Sequence, residues 1–278
     1  MITSRRNPRI QELRELRDST QLRRRTGRVL LEGPRLLAEW LEQDGATEVV
    51  VASPRLDDRP GGPELRSRLE AAVNDGRLEL LEASDSVLDA VTEARGHQGV
   101  VAVLTRAPVP GLPTAGEAPI LVTWQLQDPG NLGSLLRSAE AAGAAAAVVA
   151  GSPDGAVTDP LSPRTLRASA GSALRLPLHE WRGEPAALVE GLDSAGFRCF
   201  ACEARGGVAP EDADLTGAVA LLLGAEVAGL PASMASSTRS LTWPLAGRVE
   251  SLGVAAAGAL TLFETARQRR RAAASTGN

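Results

Sequence analysis

Apolar and polar positions along the chain form short runs that alternate between two periods. Val29-Leu30-Leu31, Val49-Val50-Val51, Leu78-Glu79-Leu80-Leu81 and Val100-Val101-Ala102-Val103-Leu104 are apolar runs of strand length. Between them, roughly 34–44 and 63–74 space their apolar residues as helices do. This series predicts a small α/β domain ending near residue 105. Residues 106–118, with three prolines and two glycines, lose the periodicity and read as a linker. A second series then opens with strands at Ile120–Trp124 and Ala146–Ala150 around a helix over about 131–143. Helices near 162–171 and 184–195, strands at 197–202 and 218–223, and an alanine-rich helix over about 251–271 complete it. The expected organisation is a small α/β domain at 1–105, a linker at 106–118 and an α/β domain with a parallel sheet at 119–278.

Composition narrows the chemistry. At 43% hydrophobic and 23% charged, the 278-residue chain is that of an ordinary soluble protein. No apolar run approaches the ~20 residues of a membrane span. Arg5, Arg6 and Arg9 are not followed by the apolar stretch of a secretory signal, so a cytoplasmic location is expected. All 30 basic residues are arginine and there is no tyrosine, which excludes Schiff-base lysine, P-loop lysine and tyrosine-acid mechanisms. With a net charge of −4, nucleic-acid binding must rest on a local patch.

Residues 1–28 supply one. Nine arginines (5, 6, 9, 14, 17, 23, 24, 25 and 28) stand against Glu12, Glu15 and Asp18, a local charge of +6. They suit both a solvated helix face with ion pairs such as Glu12 with Arg9 and an arm that contacts RNA phosphates. The arginines at 267, 269, 270 and 271 suit the last turn of the final helix and its dipole. Cys199 and Cys202 form a Cys-x-x-Cys inside an apolar strand, and only His97 and His179 are available as further soft ligands. Two buried thiols are expected there, with no metal site.

Three segments break the local pattern by placing Gly, Pro, Asn and Glu where strands end, which is where open α/β sheets bind ligands. Gln127-Asp128-Pro129-Gly130-Asn131-Leu132-Gly133-Ser134-Leu135-Leu136-Arg137-Ser138 joins a strand to a helix, with Asn131 as candidate N-cap and Arg137 as a candidate anion clamp near the helix start. Leu221-Leu222-Leu223-Gly224-Ala225-Glu226-Val227-Ala228-Gly229-Leu230 runs a fully apolar strand into Gly-x-Glu-x-x-Gly, whose glycines permit close backbone approach to a ligand. Trp243-Pro244-Leu245-Ala246-Gly247-Arg248-Val249-Glu250-Ser251-Leu252-Gly253-Val254 leads through a Pro/Gly loop to Ser251, the candidate cap of the final helix. No Gly-x-Gly-x-x-Gly of a dinucleotide fold is present.

In this order and spacing, with Thr165-Leu166-Arg167-Ala168-Ser169-Ala170-Gly171 between the first two and Phe263-Glu264-Thr265-Ala266-Arg267 at the end, these blocks resemble the SpoU (TrmH) family of the SPOUT superfamily. The resemblance covers about 119–271. More loosely, Ser4-Arg5-Arg6-Asn7-Pro8-Arg9-Ile10 with Leu31-Glu32-Gly33-Pro34 is similar to the family's accessory RNA-binding domain, which resembles ribosomal protein L30e.

The resemblance implies a homodimeric S-adenosylmethionine-dependent RNA methyltransferase with a trefoil-knotted C-terminal domain, a topology that general chain-path rules would reject. It implies 2′-O-methylation of a ribose, with 23S ribosomal RNA favoured as substrate. A tRNA substrate, or a catalytically weak RNA-binding member of the fold, are the alternatives. By the family pattern Asn131, Arg137, Glu226 and Ser251 carry the reaction, while Leu223, Gly224, Gly229, Trp243, Leu245, Leu252 and Val254 hold the methyl donor. Trp243 and Leu245 stand where the family has Ile and Met, and Gly253 where it has Asn, which removes a hydrogen-bonding amide.

Overall fold

The computed structural model describes residues 1–93 and 96–276 and divides the chain into two compact units. The first comprises Met1–Ala107 with Leu161–Arg167, the second Pro108–Pro160 with Ala168 onward.

The first unit opens with helices α1 (Pro8–Asp18) and α2 (Thr20–Thr26), followed by strand β1 (Arg28–Glu32) and helix α3 (Pro34–Glu42). Strand β2 (Thr47–Ala52), helix α4 (Gly62–Asn74), strand β3 (Glu79–Glu82), helix α5 (Asp85–Val91) and strand β4 (Val100–Thr105) complete its main elements. The sheet order is β1-β4-β2-β3, antiparallel except between β2 and β3. The basic N-terminus is therefore no loose arm. Asn7 caps α1 by accepting from Arg9 N at 2.9 Å, and Ile10, Leu13 and Leu16 lie in the core against Leu30, Val49, Val51, Val101 and Val103. Several of its arginines are structural. Arg23 is buried and donates to the carbonyls of Leu16 and Arg17, each at 2.6 Å, closing the α1–α2 corner. Arg28 pairs with Glu12 and Glu48, and Arg17 with Asp18. Arg6, Arg14 and Arg25 are exposed, and their side chains form no hydrogen bond or ion pair among the described residues.

The rest of the chain forms β5 (Ile120–Trp124), α6 (Pro129–Ala141), β6 (Ala146–Gly151), α7 (Pro163–Ala168), α8 (Ser172–Arg175), β7 (Leu178–Arg182), α9 (Pro185–Ser194), β8 (Arg198–Cys202), β9 (Val219–Leu223), α10 (Ala232–Ala235), β10 (Arg239–Leu241) and α11 (Val254–Thr276), all but α7 within the second unit. Residues 161–167, which hold most of α7, belong to the first unit, where Arg164 pairs with Glu93 and Arg167 lies 3.5 Å from both Glu32 and Glu93. The six strands run parallel in the order β10-β8-β9-β5-β6-β7. Helices cover both faces, so the central strands are apolar throughout, as in Val219–Leu223. Ile120, Val122, Val148 and Leu222 face the α9 side with Leu188 and Leu192, while α6 and α11 cover the other. Gly258 makes that second layer possible: a Cβ there would fall 2.3 Å from Leu135 Cδ2 and 2.8 Å from Leu223 Cδ2.

Several expected elements are redrawn. The stretch near 162–171 is two short helices, because Ala170 (φ 49°) and Gly171 (φ 84°) turn the backbone left-handed between them. Strand β7 breaks strict alternation with His179 and Glu180 and was not foreseen. The segment read as a linker packs along the second unit from Pro108 on, where Val109 N donates to Leu178 O at 2.5 Å and Ala115 N to Ala195 O at 3.1 Å. Its prolines suit an extended strap that needs few donors of its own. The final helix runs to Thr276, so the arginines at 267–271 lie before its last turn, and Arg267 pairs with Glu264 instead.

Candidate active site

The carboxyl ends of β8, β9 and β10 meet the first turn of α11 around one cavity of about 280 Å³. Cys202 and Glu203 come from the end of β8, Leu223 and Gly224 from β9, and Leu241 from β10. Trp243, Leu245, Ser251 and Leu252 come from the loop after β10, and Val254 and Ala257 from α11. A crevice beyond the carboxyl ends of parallel strands is where this architecture binds ligands. Its apolar wall and few polar groups are the composition of a small-molecule site.

The loop after β9 is shaped by its two glycines. Gly229 adopts φ 66°, and its N–H donates to Ala225 O at 2.9 Å, closing a tight turn. At Gly224 a Cβ would sit 2.1 Å from the Gly229 carbonyl carbon and 2.3 Å from Leu230 N, backbone atoms that cannot swing aside. Glu226, projecting from this turn, accepts a 3.0 Å hydrogen bond from Asn131 Nδ2. The first and second motifs are thus joined at the cavity's edge.

The expected capping roles are corrected. Asp128, not Asn131, caps α6, accepting from Asn131 N at 2.7 Å, which leaves the Asn131 amide for Glu226. Ser251 does not cap α11, whose first helical hydrogen bond runs from Ala257 N to Gly253 O at 3.0 Å. Ser251 is exposed and lines the cavity. Leu223, Gly224, Gly229, Trp243, Leu245, Leu252, Val254, Glu226 and Ser251 all line this one cavity, with Asn131 at its edge through Glu226. Arg137 is not among the lining residues: it is exposed on α6, with no hydrogen bond or ion pair among the described residues. Gly253 has open space around it, with nothing within 4 Å of an added Cβ.

Sequence reasoning missed Cys202, Glu203, Leu241 and Ala257 as wall residues. The signal for Glu203 was present, since a charge directly after an apolar strand marks its carboxyl end. Ser240 Oγ donates to Glu203 Oε2 at 2.8 Å and holds it there. The Cys-x-x-Cys is divided by the strand itself: three residues apart in β8, Cys199 packs on the α9 side and Cys202 donates to Thr261 of α11. Burial pushes the thiols up to about 12 and about 11, so neither is poised for redox or metal chemistry. Among the described residues no group of His, Cys, Asp and Glu could hold a metal ion, and no helix is long and apolar enough to cross a membrane.

Residues 118–263 match the SpoU rRNA methylase family and residues 7–102 match the MRM3-like substrate binding domain. The chain belongs to the SpoU rRNA methylase family. Its enzyme class is that of an RNA methyltransferase. An uncharacterized tRNA/rRNA methyltransferase of Synechocystis is 33% identical over 96% of this chain and 94% of its own length. The 23S rRNA (guanosine(2553)-2′-O)-methyltransferase RlmP of Bacillus subtilis is 29% identical over 94% and 97%. The AdoMet-bound rRNA methyltransferase from Sinorhizobium meliloti superposes with a TM-score of 0.81 at 30% identity, covering 96% of this chain and 97% of that one. Within the SpoU family, then, the cavity at the ends of β8, β9 and β10 is the candidate active site.

Proposed function

We propose that the chain transfers the methyl group of S-adenosylmethionine to a ribose 2′-oxygen of 23S ribosomal RNA. The observation that carries this reading is the convergence of the Gly224–Gly229 turn, the Trp243–Leu252 loop and α11 on one cavity, tied to helix α6 by Asn131 and Glu226. The residues fit the donor. Leu223, Leu241, Leu245 and Leu252 offer apolar surface to a purine, and the side chains of Glu203 and Glu226 in the same lining suit a cationic ligand. The bound donor supplies an electrophilic methyl on a sulfonium, so the chain's part is to align the ribose hydroxyl and favour the charge developing on it. Arg137, unpaired and outside the cavity, suits a phosphate next to the target ribose and the developing alkoxide. A guanidinium offers only donors, so the hydroxyl proton goes to water or a phosphate.

The exposed Arg6, Arg14 and Arg25 on the first unit supply phosphate contacts for a longer RNA. The trefoil-knotted chain path, the cytoplasmic location and a homodimer belong to the same reading. The dimer is supported by Leu260 (47% exposed) and Phe263 (48%), which extend from Ala256 as an apolar stripe on α11. Charge at both positions, Leu260→Arg with Phe263→Arg, should yield monomers in sedimentation.

Ribose-methylation mapping of RNA from cells with and without the protein tests the function. One 23S position losing methylation supports it; a change confined to tRNA would favour the tRNA alternative. No change in any RNA, with purified protein also inert, would favour a weak RNA-binding member.

A further inference from the structure

One wall of the cavity is not an aliphatic side chain but Trp243, and its indole is tied down from behind. Trp243 Nε1 donates to Thr261 Oγ1 at 3.0 Å. That hydroxyl is fully buried on α11 and itself donates to Ala257 O at 2.9 Å. It also accepts from Cys202 Sγ at 3.7 Å. A hydroxyl has one hydrogen to give and two lone pairs, so Thr261 uses its full capacity and links three elements of the cavity wall. The indole's one polar atom is spent on Thr261, so the surface it offers the cavity is carbon. Residues 243 and 261 are a pair: the aromatic needs the acceptor, since a buried N–H without a partner is costly.

We infer that Thr261 is a positioning residue that locks the Trp243 indole as a flat wall for the purine of the methyl donor. This rests on the function proposed above. An indole adds a large rigid face that an aliphatic residue at this position lacks, and offset stacking of aromatic planes adds to area burial. Because the purine is common to the sulfonium donor and the thioether product, the lock contributes equally to both.

The test compares wild type with Thr261→Val, Thr261→Ser and Trp243→Leu, titrating S-adenosylmethionine and S-adenosylhomocysteine by calorimetry. Trp243 emission in the free protein is followed by difference against Trp243→Phe. Valine keeps the volume of threonine and removes the acceptor, and Trp243→Leu leaves α11 untouched should the buried change unfold the chain. Thr261→Val and Trp243→Leu should each raise Kd for both ligands by a similar factor, about five- to tenfold. Thr261→Val should also shift the Trp243 emission in the absence of ligand, and Thr261→Ser should restore affinity and emission. Variants that bind as wild type does overturn the lock while leaving the function standing, as does a loss confined to the sulfonium form. A folded wild type that binds neither ligand overturns the proposed function, and the purine wall with it.

Discussion

The side-chain amide of Asn131 donates to Glu226 Oε1 at 3.0 Å across 95 positions of sequence, joining the first turn of α6 to the turn after β9. Both residues sit near the surface, so the bond adds little to global stability and acts mainly to hold one loop against the other. Asn131→Ala and Glu226→Ala should each lower turnover by about tenfold, within the ~0.5–1.5 kcal/mol of one hydrogen bond. The double variant should lose little more than either single one, because both break the same contact. Methyl-transfer kinetics with thermal melts check this; additive losses would separate the two roles.

Arg137 should behave differently. It lies outside the cavity, so Arg137→Ala is expected to leave donor affinity and melting temperature unchanged. Turnover on RNA should fall by about two orders of magnitude, the effect of removing one donor to a developing oxyanion. Calorimetry with the donor and single-turnover transfer measure the two halves of this prediction.

Gly224 and Gly253 make a contrasting pair. An alanine at 224 would drive a Cβ to within 2.1 Å of the Gly229 backbone, so Gly224→Ala should abolish donor binding by displacing the turn. Gly253 has no neighbour within 4 Å of a Cβ, so Gly253→Asn should fold as wild type does. If the active site is adapted to glycine, turnover in Gly253→Asn will be equal or lower. A clear rise would identify the natural protein as a weakened family member.

Deleting residues 1–28 should unfold the first unit rather than merely weaken RNA binding, because Ile10, Leu13, Leu16 and Arg23 are buried in it. The informative change is Arg6, Arg14 and Arg25 to Gln together. If each meets a phosphate, the salt dependence of RNA binding should flatten by about one unit of slope per arginine, with the melting temperature unchanged. An unaltered slope would assign these arginines to a solvated face.

The two thiols give a pH signature. With Cys202 pushed up to about 11 and Cys199 to about 12, only about one Cys202 in a thousand is thiolate at pH 8. Iodoacetamide should label the native protein slowly and the unfolded protein fast, as read by mass spectrometry. Above the free-thiol range near pH ~8.5, the unfolded chain releases protons that the folded chain retains, so stability should decline as pH rises. Replacing both cysteines by Ala should remove that part of the decline.

Period alone located most strands, because strands buried on both faces are written as uninterrupted apolar runs and their ends as Gly, Pro or charge. Residues at strand ends, including Leu223, Gly224 and Glu226, were legible as a candidate site for the same reason, and they line one cavity. Other features depend on partners remote in sequence. That α1 is a core helix follows from Leu30 and Val103 beneath it, not from its arginine-rich surface. That Asn131 serves Glu226 rather than its own helix follows from Asp128 taking the cap. The separation of Cys199 from Cys202 follows from β8 being a strand with a helix layer on each face. Local pattern fixes which element forms, because propensity and period act over a few residues. Which side chains meet at the cavity, as Trp243 meets Thr261, is set by sheet order and helix packing, and these exist only once the chain has folded.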